Sequence, residues 1–328
     1  MPKTTLSYRK AVNCALDHLM TVDRDVVFLG EDITTYGGAF AVAGDLYRKH
    51  PGRVIPTPIS EGGYTGVGVG LAMTGFRVVV EIMFMDFITL AMDQLVNHAA
   101  NIHYMYAGQF NCPLVVRTPA GGYRGYGASH SKSLESCLMS VPGIKIVAPS
   151  TVTDAYGCLL SAVYDNNPVV FVEHKLLYDL KEDIDIDQLK AVEIGKARMV
   201  REGRDVTIVA HSYGVELARR AAVELAEVGV EAEVIDLRTL KPLDMETVAA
   251  SVMKTGRLVS VEEGNVFGGI GAEVAGQVTE RCLDYLDGRV VRVGKPDVPI
   301  PASIEAERHL LPDAGSVVEA VKRSLSWR

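Results

Sequence analysis

The feature that most constrains this chain is an alternation of short apolar runs with amphipathic stretches, and it occurs twice. Residues 26–30, 77–84, 113–117, 144–148 and 168–173 read as strands buried on both faces. Helical spacing lies between them. Ala11, Val12, Ala15, Leu16, Leu19 and Met20 recur three and four residues apart behind Ser7, which can cap a helix, and residues 86–106 and 152–164 also read as helices. The pattern lapses over residues 178–204, where Asp179, Lys181, Glu182, Asp183, Asp185 and Asp187 replace apolar runs. It then restarts, with strands expected at 206–210, 230–235, 257–261 and 290–293 and helices at 215–226, 244–254 and 271–283. Strand-then-helix alternation is satisfied by a parallel sheet with helices packed on its faces. The predicted fold is α/β in two domains, each a mostly parallel sheet covered by helices. The first spans residues 1–180, a linker spans 181–203, and a smaller second domain spans 204–328. A chain of 328 residues that is 48% hydrophobic suits two cores better than one.

Charge and cysteine usage exclude several function classes. Lys and Arg number 33 against 41 Asp and Glu, a net charge of −8, with no basic stripe interleaved with aromatics, so nucleic acid is not an expected partner. An acidic surface suits docking to a basic protein. Cys14, Cys112, Cys137, Cys158 and Cys282 are odd in number and form no C-x-x-C pair, which predicts reduced thiols in a cytoplasm-like compartment. Residues 1–7 hold no apolar signal core, and the uncharged stretch 62–76 is short and glycine-rich, so no membrane association is expected and the localisation expected is cytoplasmic. H-E-x-x-H, Walker A, G-x-S-x-G and paired-cysteine metal motifs are all missing.

Four segments could carry chemistry. In Thr57-Pro58-Ile59-Ser60-Glu61 a strand-like run ends and a helix begins, which puts Glu61 where ligands gather in open α/β sheets. By spacing alone the plainer reading is a carboxylate that stabilises a helix N-terminus. Gly62, Gly66 and Gly70 follow four apart, one helix face open to close approach by another backbone. The loop 118–131 carries His130 between Ser129 and Ser131 among several glycines, which predicts either a functional loop or a mobile one with a solvated histidine. Met83, Phe84 and Phe87 at a strand end read as core or as the wall of an apolar pocket. Asp165-Asn166-Asn167-Pro168 reads as a helix stop, with hard oxygens that could also serve a cation. In the second half, Gly268-Gly269-Ile270-Gly271 opens a helix and reads as helix packing, since it lacks the full phosphate-binding pattern.

Together with Leu29-Gly30-Glu31-Asp32, the run from Glu81-Ile82-Met83-Phe84 through Asp93-Gln94, Pro142-Gly143-Ile144-Lys145-Ile146-Val147, Asp236-Leu237-Arg238-Thr239 and Pro242-Leu243-Asp244, these segments converge. The sequence resembles, over nearly its whole length, the beta subunits of the decarboxylase components of 2-oxo acid dehydrogenase complexes, of the pyruvate, acetoin and branched-chain types in the transketolase-like superfamily. The resemblance implies a transketolase-like pyrimidine-binding domain, a C-terminal transketolase-type domain, and thiamine diphosphate as cofactor. It implies an alpha subunit that holds the magnesium and diphosphate, in an alpha2beta2 heterotetramer, and a lipoyl acyltransferase that takes the acyl group. No Gly-Asp-Gly segment with a downstream asparagine pair occurs here, in keeping with that division.

By the same resemblance, Glu61 matches the glutamate that hydrogen-bonds the pyrimidine ring, Met83 and Phe87 match residues packed near that ring, and His130 matches the histidine at the reacting end of the cofactor. Leu114, Ala162, Val163, Asp165 and Asn167 match positions that hold a structural potassium ion in some members, several through backbone carbonyls. The segments 86–88 and 104–108 look closer to pyruvate or acetoin types than to branched-chain types. Two alternatives stand beside this reading. One is a split-chain transketolase-like two-carbon transferase, which would need basic side chains at its cleft, with Arg124 the obvious candidate. The other is a non-catalytic structural subunit of the same fold.

Overall fold

A computed structural model describes residues 4–185 and 188–326. Ile186 and Asp187, inside the expected linker, lie outside the described residues. Contacts divide the chain into two units: residues 1–120 with 140–194, and residues 121–139 with 195–328.

The first unit begins with β1 (Thr4–Ser7) and α1 (Tyr8–Val22). Ser7 Oγ accepts from Lys10 N at 3.2 Å, the expected cap, and Ala11, Val12, Ala15, Leu16, Leu19 and Met20 are all buried on one face. There follow β2 (Val26–Glu31), α2 (Leu46–Lys49), β3 (Val54–Thr57), α3 (Glu61–Met73), β4 (Arg77–Glu81), α4 (Ile102–Met105) and β5 (Leu114–Ala120). The stretch 121–139, with the short helix α5 (Ser136–Met139), groups with the second unit. The first unit resumes with β6 (Lys145–Val147), α6 (Val152–Tyr164), β7 (Val169–His174) and β8 (Lys181–Ile184). Six strands pair in parallel in the order β6-β7-β5-β4-β2-β3. Their β-branched residues are buried on both faces, as the unbroken apolar runs require.

The helix expected over residues 86–106 is three pieces: a 3₁₀ turn at Met85–Ala91, a π turn at Gln94–Ala99, and α4. Packing against α3 accompanies the break. A Cβ on Gly62 would stand 2.9 Å from the Leu90 carbonyl oxygen, and one on Gly66 would stand 3.1 Å from Gln94 Oε1. Two of the three aligned glycines therefore admit this segment, while Gly70 faces open space.

The second unit holds β9 (Arg198–Arg201), β10 (Val206–Ala210), α7 (Tyr213–Glu227), β11 (Ala232–Asp236), β12 (Thr239–Lys241), α8 (Met245–Thr255), β13 (Leu258–Asn265), α9 (Ile270–Cys282), β14 (Val291–Lys295), α10 (Ile304–Leu310) and α11 (Ala314–Leu325). Its sheet runs β14-β13-β10-β11-β9, parallel except at β9. The stretch 181–203 thus supplies an edge strand to each unit: β8 pairs β1, and β9 pairs β11. At the head of α9, Glu262 accepts from Ile270 N and Gly271 N, each at 2.9 Å.

One polar network lies inside the first unit's sheet. Arg117 on β5 is fully buried. Its guanidinium bonds Glu81 at the end of β4 and grips both oxygens of Glu173 on β7, at 2.8 and 2.7 Å. Tyr178 donates to Glu173 at 2.8 Å. Arg117→Met would leave two buried carboxylates without their cation, at a cost of about 3–5 kcal/mol. Urea unfolding of the chain measures this, and a loss below about 1 kcal/mol would refute it.

Candidate functional site

Three carboxylates converge at the carboxyl ends of adjacent strands. Glu31 ends β2, Glu81 ends β4, and Glu61 opens α3 four residues after β3 ends. This is where open α/β sheets bind ligands. Glu61 is 5% exposed, and among the described residues no hydrogen bond reaches its carboxylate. Glu31 is 3% exposed. Burial, then the charge of Glu61, then those of Asp32 and Glu81, push its pKa up to about 7 against the pull of the Tyr64 hydroxyl. Glu31 Oε1 and Tyr64 Oη form no well-aligned hydrogen bond, although the hydroxyl is close enough to ease the carboxyl's ionisation. Glu31 thus exchanges its proton in the neutral range, beside Glu61. Sequence reasoning gave Glu31 no role. The available signal was an acidic residue ending a strand buried along its whole length.

Met83 and Phe87 lie in the same unit and are half-buried. Phe87 meets Phe84 edge-on at 6.1 Å, and Phe84 meets Phe40 at 5.4 Å. The fully buried Lys175 stands over the Phe84 ring at 5.2 Å. The segment bearing Phe87 is the one that packs on the glycine face of α3. An apolar wall and an unengaged buried carboxylate therefore share one unit, which fits a flat heteroaromatic ring with a nitrogen to hydrogen-bond.

The five residues considered for potassium gather at the last turn of α6 and the first residue of β5. Asp165 Oδ1 accepts from Asn167 N and Nδ2, both at 2.9 Å, and Oδ2 takes Lys145. Burial opposes ionisation of Asp165, but Lys145 and Asn167 outweigh it and hold its pKa below the usual carboxylate value. The Val163 carbonyl accepts from Arg77 Nη1 at 3.0 Å, and the Ala162 carbonyl from Asp165 N at 3.3 Å. Hard oxygens at a helix C-terminus suit a cation. Here two cationic side chains already serve them.

His130 belongs to the second unit, half-buried, with Ser129 Oγ 2.8 Å from its Nδ1. Its loop is tied to other parts of the second unit by hydrogen bonds. Gly122 N donates to Glu263 and Gly125 N to Glu307, both at 2.7 Å, and Tyr123 donates to the Pro312 carbonyl. Gly125 has φ +70°, and a Cβ there would meet Ile304 at 2.7 Å. The glycines permit close packing and a left-handed turn rather than freedom of movement. Near the loop's end, Glu135 is buried. Burial, opposed by its own backbone amide and reinforced by Glu263 and Glu262, pushes its pKa up to about 8.

Residues 4–181 match the family described as transketolase, pyrimidine binding domain, and residues 195–317 match transketolase, C-terminal domain. Fold and site together thus define a two-domain protein of transketolase type. A pyruvate dehydrogenase E1 component subunit beta-1, mitochondrial, from Arabidopsis thaliana is 45% identical over 97% of this chain and 89% of its own length. A pyruvate dehydrogenase E1 component subunit beta from Rickettsia bellii is 43% identical over 97% of this chain and 98% of its own. A solved split-gene transketolase, an inactive beta4 tetramer, has a TM-score of 0.81 at 27% identity, covering 98% of this chain and 99% of that one. The chain belongs to the family of pyruvate dehydrogenase E1 component beta subunits.

The buried carboxyl of Glu135 has a signed consequence for stability. The folded chain holds its proton up to about pH 8, whereas an unfolded glutamate loses it near pH 4.5. Between those values the folded state binds more protons, so stability falls as pH rises through the window. Glu135→Gln should therefore raise Tm more at pH 8 than at pH 5.5. Calorimetry at the two pH values measures it, and equal shifts would refute it.

Proposed function

We propose that this chain is the beta subunit of a thiamine-diphosphate-dependent, pyruvate-decarboxylating component that passes its acyl group to a lipoyl group. The observation that carries the reading is Glu61, a buried carboxylate at a helix start with no hydrogen-bond partner among the described residues, beside a second carboxyl whose pKa is pushed up to about 7. When bound, thiamine diphosphate supplies the nucleophilic carbon and the electron sink for loss of carbon dioxide. Glu61 presents its carboxyl to the pyrimidine ring nitrogen and exchanges a proton there. Glu31 lies next to it, its own carboxyl pushed up to about 7 by burial and neighbouring charge, and so is a second proton-carrying group at the same place. Met83 and Phe87 exclude water from the ring's faces. His130 gives a proton to the thiolate that leaves when a lipoyl disulfide opens, as a general acid.

The partners in this reading are an alpha subunit, in an alpha2beta2 heterotetramer, and a lipoyl acyltransferase. The alpha subunit holds magnesium and the diphosphate; among the described residues no group of three or more His, Cys, Asp or Glu could hold a metal ion. The compartment proposed is the reducing cytoplasm, supported by five cysteines that are all free. Some relatives carry the word mitochondrial in their names. Among the described residues no helix is long and apolar enough to cross a membrane. The split-chain transketolase reading has the solved neighbour on its side, at 27% identity against 43–45% for the dehydrogenase relatives.

Glu61→Gln in the assembled enzyme should slow exchange of the thiazolium proton of bound cofactor by roughly a hundredfold or more. NMR of quenched exchange samples reads this directly. Unchanged exchange would return Glu61 to the role of a helix-start carboxylate.

The potassium site belongs to the same proposal, with an ion taking carbonyl oxygens of Leu114, Ala162 and Val163 beside Asp165 and Asn167. It would have to draw Lys145 off Asp165. Replacing sodium by potassium at constant ionic strength should then raise the chain's Tm, and Lys145→Met should enlarge that difference. Equal Tm in the two salts for both proteins would eliminate the site.

A further inference from the structure

We propose that Glu263 and Glu307 are positioning residues that clamp the His130 loop, fixing its histidine for the transfer step. This rests on the reading of His130 as the proton donor in acyl transfer.

The loop's neck is closed by Gly121 N donating to the Lys132 carbonyl at 3.3 Å. Glu263 sits across that neck. Its Oε1 accepts from Gly122 N at 2.7 Å on one side and from Ser133 Oγ at 3.3 Å on the other. Glu307, in the middle of α10, reaches the loop three residues further on and accepts from Gly125 N at 2.7 Å. Both amide bonds are short and charge-assisted, the stronger class of neutral-donor hydrogen bond.

Glu307 is an expensive residue where it stands. It is fully buried, and its Oε1 has no hydrogen-bond partner among the described residues. The one hydrogen bond its side chain makes among the described residues is to the loop. Its burial is therefore tied to holding Gly125. Packing agrees with the polar bonds. A Cβ on Gly122 would come 2.6 Å from Leu311 and 2.7 Å from Glu307 Oε1, and one on Gly127 would meet Ala302 at 3.3 Å. At Gly122, Gly125 and Gly127 the loop backbone thus lies close on the 302–311 segment, with no free space for a side chain at the first two. His130 follows three residues after Gly127. A proton donor misplaced by about 1 Å can lose up to a hundredfold in rate, so a group that fixes the loop sets the transfer rate without touching the substrate.

The test compares two rates of the assembled alpha–beta enzyme, one with a lipoyl domain and one with an artificial electron acceptor. Glu307→Met keeps the side chain's length and removes the acceptor. It should lower the ratio of lipoyl to artificial-acceptor rates by roughly tenfold to a hundredfold, in the direction His130→Ala lowers it. Glu307→Gln keeps an acceptor oxygen for Gly125 N and should restore most of the ratio. Amide exchange over residues 121–133 should quicken in Glu307→Met and not in Glu307→Gln. If Glu307→Met fails to fold, Glu263→Met, at a half-buried position, carries the same three readouts. Should His130→Ala lower the ratio while neither methionine variant does, the clamp is wrong and the role of His130 stands. Should His130→Ala leave the ratio as it was, the donor role falls and the positioning role with it. Unchanged loop exchange in both methionine variants overturns the clamp whatever the rates do.

Discussion

A buried guanidinium is the element on which the first unit depends. Arg117 lies in the middle of a parallel sheet whose other inward residues are mostly apolar, and two glutamates from the flanking strands neutralise it. Burial still pushes the Glu81 carboxyl upward, so the pairing offsets the desolvation cost without removing it. The geometry follows from the chemistry. A bidentate grip on Glu173 and a second contact to Glu81 tie the carboxyl ends of β4, β5 and β7 together. Glu81 in turn sits opposite Gly30 in the pairing of β2 with β4, one residue before Glu31, and its charge contributes to the raised pKa there. The network that holds the sheet together therefore also adds to the charge that raises the Glu31 carboxyl.

Much of this was readable from residue patterns, because buried parallel strands and amphipathic helices leave strong periodic signals. The apolar run at 26–30 and the spacing within α1 correspond closely to observed elements. The irregular helix at 85–105 was not readable. Its 3₁₀ and π turns accompany close packing on Gly62 and Gly66 of another helix, which the local pattern does not encode. The edge strands β8 and β9 were hidden for a different reason. Each is charged and half-exposed, so neither carries the apolar signature of a central strand.

At the candidate site, what was legible was the position of single residues, and what was not was their coupling. Glu61 stands at a helix start after a strand, as expected. That the Glu31 carboxyl would be raised beside it depends on burial and on three neighbouring carboxylates brought together by the fold. The loop around His130 misled in the opposite sense. Its glycines suggest looseness, yet their amides are held by Glu263 and Glu307, residues more than a hundred positions later in the chain.

The carboxylate of Glu262 at the head of α9 has a consequence for what the second domain can host. In sheets of this kind a helix N-terminus with nearby glycines is a natural receptor for phosphate. Here the receptor carries its own anion: two amides are taken by Glu262, and a Cβ on Gly269 would fall 2.4 Å from that side chain. A nucleotide or sugar phosphate arriving from solvent would meet a carboxyl already seated on the donors it needs. The domain keeps the architecture of a binding fold with this one socket plugged from within.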